Sequence, residues 1–101
     1  MATPSTLDIH RALNGATLEV LTSDHQVVVG LRVDAVREHA PNGPQRGHTV
    51  ELSAPAESPL DQDTYTVRWP DGTLGWLFVV PVAEQDGRRT YEAVFTELVT
   101  A

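Results

Sequence analysis

From Thr17 onward, apolar side chains recur at every second position, and a period of two is the signature of strands buried on one face. Leu18 and Val20 alternate with Thr17 and Glu19 in Thr17–Thr22. Val27, Val29, Leu31 and Val33 form the next inward set. Between Val33 and Val36 the apolar phase slips from odd to even positions. A one-residue slip would turn every later side chain outward, so a β-bulge near Asp34-Ala35 is predicted there. His48, Val50, Leu52 and Ala54 share the next face, then Tyr65, Val67 and Trp69, and finally Tyr91, Ala93 and Phe95. Leu74–Val80 (LGWLFVV) departs from the pattern because it is apolar in both phases. Such a strand is expected to be covered on both sides, by the N-terminal helix or a barrel wall.

The punctuation fits short connections. Ser23–Gln26 is a polar turn, Trp69-Pro70-Asp71-Gly72 suits a tight turn, and Gln85-Asp86-Gly87 suits a hairpin. Pro41–Gly47 and the acidic, proline-bearing Pro55–Asp63 are predicted as loops, the second of them mobile. Ahead of the strands, Ser5 as N-cap, Asp8 three residues on, and Ile9, Ala12, Leu13 and Ala16 at helical spacing predict a short helix over about 5–14 stopped by Gly15. The expected fold is mainly β: a small antiparallel six-stranded barrel or sandwich-like meander with one short N-terminal helix. Strands run from about residue 16 to 99, in a single domain spanning 1–101.

Composition removes several classes of function. Seven basic residues, all arginine, stand against 14 acidic ones, a net charge of −7. Such a field opposes a phosphate backbone or an anionic membrane surface, so no nucleic-acid partner and no membrane insertion are expected. Without lysine there is no Schiff-base amine, and without cysteine no disulfide, thiolate metal site or thiol nucleophile. Met1–Asn14 lacks a basic region followed by an apolar run, so a soluble chain without a signal peptide is expected.

The residues that could carry chemistry are few. His10 has no second histidine one helical turn away, so a helical metal pair is absent. His39 and His48 flank the Pro41–Gly47 loop and could approach each other with Glu38 nearby, an incomplete ligand set that reads better as surface histidines. Asp61 and Asp63 lack the spacing of a calcium loop. No serine lies in a nucleophile-elbow setting, and no glycine-rich phosphate loop occurs. No catalytic residue, metal or cofactor is therefore expected. Trp69 and Trp76, read as facing each other across one hairpin, are expected in the core, with an aromatic binding platform as the alternative.

Pro59-Leu60, Gln62 and Thr64-Tyr65, followed by Leu74-Gly75, Leu77–Val82 and Tyr91–Phe95, resemble an uncharacterised family of small bacterial domains of unknown function, the 6916 type, most clearly in the C-terminal half. The resemblance implies a small β-rich accessory protein, sometimes tied to phage-tail-like or surface assemblies, and brings no established activity. The expected function is a non-catalytic structural or adaptor subunit that binds a protein partner or itself, through the edges of an open sheet. The alternative is a small-ligand or peptide-binding barrel with Tyr65, Trp69 and Trp76 at its mouth. A metal-dependent enzyme centred on His39 and His48 ranks last.

Overall fold

In the computed structural model, which describes residues 6–40 and 45–98, the alternation becomes six strands. Helix α1 (Thr6–Ala12) precedes β1 (Thr17–Leu21), β2 (Val27–Glu38), β3 (Gln45–Pro55), β4 (Asp63–Arg68), β5 (Leu74–Gln85) and β6 (Arg88–Leu98). All neighbours are antiparallel, and the order β1-β2-β3-β6-β5-β4 closes into a barrel. The closing ladder is short, Glu19–Leu21 against Thr66–Arg68. An Arg68–Glu19 ion pair of 3.1 Å lies across it.

Two strands are shared between neighbours. β2 pairs Val27–Arg32 with β1 and Arg32–Glu38 with β3, with the register shifting between Val33 and Ala35 where the bulge was predicted. β5 gives Leu74–Val79 to β4 and Val80–Gln85 to β6, with a second shift between Pro81 and Ala83. Bulges let strands bend enough for six of them to close. Closure also corrects an expectation: the barrel has no open sheet whose edges could serve as the working part.

The interior is stacked in layers set by the β3–β6 register, His48 opposite Phe95, Val50 opposite Ala93, and Leu52 opposite Tyr91. Leu18, Val20, Leu31, Val33, Val67, Leu77 and Val79 fill the space between, and all are buried. Between Pro55 and Asp63 the expected loop packs on the barrel. Leu60 and Ser58 are buried, and the Tyr91 hydroxyl hydrogen-bonds Ser58 Oγ at 2.9 Å and the Leu60 carbonyl at 3.3 Å. Arg89 donates to the Ser58 carbonyl at 3.0 Å, so the segment is a lid over one end of the barrel.

At the other end sits α1. Gly15 takes φ 87°, the left-handed stop predicted for it, and the chain enters β1 through Gly15 N–H to the Val33 carbonyl at 2.8 Å. Arg11 reaches Glu38 at 3.0 Å. The inward face of the helix differs from the predicted one: His10 is buried and Leu13 packs on the core, while Ile9 and Ala12 are exposed. Ser5, the predicted cap, lies outside the described residues, as do residues 41–44 of the predicted Pro41–Gly47 loop, whose Gln45–Gly47 belong to β3 instead.

Candidate functional site

The helix-capped end holds a cluster of rings. His10 Nδ1 and His48 Nε2 are 2.7 Å apart in the interior. The His10 ring packs on Phe95 at 4.5 Å and stacks on Trp69 at 6.0 Å, and His48 stacks on Phe95 at 5.1 Å. Burial disfavours an imidazolium, so the His10 pKa is pushed down to about 4, with the charge of His48 adding to the effect. Room for the Trp69 indole comes from Gly75, where a Cβ would lie 2.6 Å from Nε1. The turn that carries Trp69 closes with Gly72 N–H to the Trp69 carbonyl at 2.8 Å and Gly72 at φ 91°, as its Pro-Asp-Gly sequence predicted.

Above this cluster opens a pocket of about 330 Å³. Ile9, Leu13, Trp69 and Pro70 wall it, His10 lies at its base, and Asp71 and Thr73 complete it. The side-chain and backbone donors of Thr73, at 2.7 and 2.9 Å, hold the Asp71 carboxyl below its usual range.

The expected site residues scatter. His48 points into the barrel and pairs with His10, not with His39. His39 Nε2 lies 2.7 Å from Thr49 Oγ1, and Thr49, next to His48 on β3, projects from the opposite face. No group of three His, Cys, Asp or Glu able to hold a metal occurs among the described residues. Tyr65 sits at the lid end, donating to the Asp61 carbonyl at 2.7 Å, and burial raises its phenol pKa. Trp69 and Trp76 do not face each other: Arg68 opposes Leu74 and Thr66 opposes Trp76. Trp69 turns in. Trp76 is 77% exposed, the reverse of its expected core position. Tyr65, Trp69 and Trp76 therefore line no common mouth.

The exposed Trp76 has company. Leu74 and Phe78 stand on the same outer face of β5, and Val82 and, on β6, Val94 are exposed too. Nothing covers the second apolar phase of LGWLFVV among the described residues. Beside Trp76 runs a groove of about 370 Å³, lined by His25, Thr66, Leu74 and Gly75. No helix among the described residues is long and apolar enough to cross a membrane.

Comparison with known proteins gives one family, described as the domain of unknown function DUF6916, which matches residues 5–95. The chain belongs to it, and the match extends well beyond the C-terminal half in which the resemblance was clearest. No curated protein and no solved structure matches the chain significantly.

Proposed function

We propose that this DUF6916 domain is a non-catalytic binding module whose working surface is the outer face of β5, and whose partner is a protein with an apolar patch rimmed by basic residues. One observation carries the reading: Trp76 stands 77% exposed in a row with Leu74 and Phe78. Contiguous exposed apolar rows on small soluble domains mark interaction sites, and tryptophan heads the residues that dominate interface energy. The face belongs to a closed barrel, so it is a rigid platform that loses little freedom on binding. A basic rim on the partner follows from the net charge of −7, which would speed encounter with a cationic surface and slow encounter with a second copy. Membership of a phage-tail-like or surface assembly, which the sequence resemblance implies, is one form such a contact would take. The two interior histidines, engaged with each other, play no part in this reading.

The test compares wild-type bait with W76S and F78S in the same extract, after circular dichroism and melting have matched the three folds. A partner retained by wild type, lost with both variants, and weakened by salt as a purified pair supports the proposal. A strictly monomeric protein with no Trp76-dependent partner overturns it. A dimer that W76S dissolves overturns the basic partner in favour of a second copy.

A further inference from the structure

The pocket over His10 has a polar atom that the outer-face reading leaves unused. His10 Nδ1 is engaged with His48, whereas Nε2 has no hydrogen-bond partner among the described residues. Yet no buried side-chain nitrogen or oxygen among those residues lacks a partner. Nε2 therefore keeps access to solvent, and of the two spaces His10 lines, this pocket is the one large enough to hold a ligand. One convergent polar atom in an apolar, tryptophan-walled concavity is the arrangement of a small-molecule site.

We propose that this pocket binds a flat, uncharged aromatic molecule bearing one hydroxyl, a simple phenol, with its ring against Trp69 and its hydroxyl on His10 Nε2. The volume of about 330 Å³ lies at the small end of such pockets, where a single ring fits. Flatness follows from Trp69, whose indole walls the pocket and packs best against a planar ring. The hydroxyl follows from the histidine pair. Whether Nε2 carries a hydrogen depends on which ring donates in the His10–His48 bond, and a hydroxyl both donates and accepts. Charge is selected against in both directions. An anion would meet the Asp71 carboxylate and the negative field of the whole chain, while an ammonium would leave water for an apolar wall facing only a solvated carboxylate.

The experiment uses W76F, which leaves Trp69 as the sole tryptophan, and titrates p-cresol against Trp69 emission and the His10 Nε2 nitrogen resonance. Both signals should saturate together, with p-cresol binding about tenfold more tightly than toluene, the worth of one hydrogen bond. I9E, which places a carboxylate on a pocket wall at an exposed helix position, should abolish the response while leaving the fold intact. No saturation up to the solubility limit overturns the proposal. So does equal binding of toluene, tighter binding of 4-methylbenzylammonium, or undiminished binding by I9E. These outcomes do not bear on the outer face, since every arm carries W76F.

Discussion

His10 and His48, thirty-eight residues apart in the chain, share a hydrogen bond of 2.7 Å inside the barrel, and through it the N-terminal helix is held on the end of the sheet. Two imidazoles satisfy each other there at no cost in charge as long as neither takes up a second proton.

Acid should therefore loosen this end first. An unfolded chain protonates His10 near its ordinary value of 6.5, the folded one only at about 4. Between those values the unfolded state binds more protons. Stability is thus complete above the higher value, falls as pH drops, and loses roughly 3 kcal/mol once the lower one is passed. Urea titrations at a series of pH values should show this slope. H10F removes the group whose titration produces the slope, and should show a shallower slope in the acid range.

The two tryptophans should respond oppositely to truncation. W69A removes an indole packed on His10 and the core, and should lower stability by about 3 kcal/mol. W76A removes a side chain with little to lose on the free protein, and should stay within about 0.5 kcal/mol of wild type. Chemical denaturation of both variants measures the contrast. A large cost for W76A would mean that the outer face is already occupied.

Gly75 should not tolerate a methyl group. In G75A the new Cβ would lie 2.6 Å from Trp69 Nε1, so the indole must move or the strand must shift. A loss of about 1–3 kcal/mol is expected, with a change in Trp69 fluorescence as its signature.

At the opposite end, Y91F removes the hydroxyl that ties the lid to the barrel and leaves buried Ser58 without that partner. The expected cost is about 1–3 kcal/mol. L60A, which empties a buried lid position, should cost about 2–5 kcal/mol. Limited proteolysis should show both variants cut earlier within residues 56–62, with β3 and β6 unaffected.

Much of the barrel was legible in the chain because each inward set repeats at every second residue and each turn carries its own chemistry. The slip between Val33 and Val36 even located the bulge. Where the sequence was silent, two phases were equally apolar. In LGWLFVV either Gly75-Leu77-Val79 or Leu74-Trp76-Phe78 could face inward, and the bulkier set is the outer one. Only the position of β4 beside it decides, since Gly75 must leave space for Trp69. The histidine cluster was hidden for a different reason. His10 on the helix and His48 on β3 show no shared motif, because closure of the barrel, a long-range event, is what brings them together. Pro55–Asp63 read correctly as a loop from its prolines and acids, but nothing in the string announced that Leu60 and Ser58 would be buried and dock it on the barrel.

The three-residue ladder between β1 and β4 also sets the order in which this molecule can assemble. Glu19–Leu21 must find Thr66–Arg68 across some forty-five intervening positions, for few pairings in return, whereas the β1–β2 and β4–β5 hairpins form from nearby segments. That junction should therefore be the last to close, after the hairpins and the β3–β6 pairing have brought its two halves within reach.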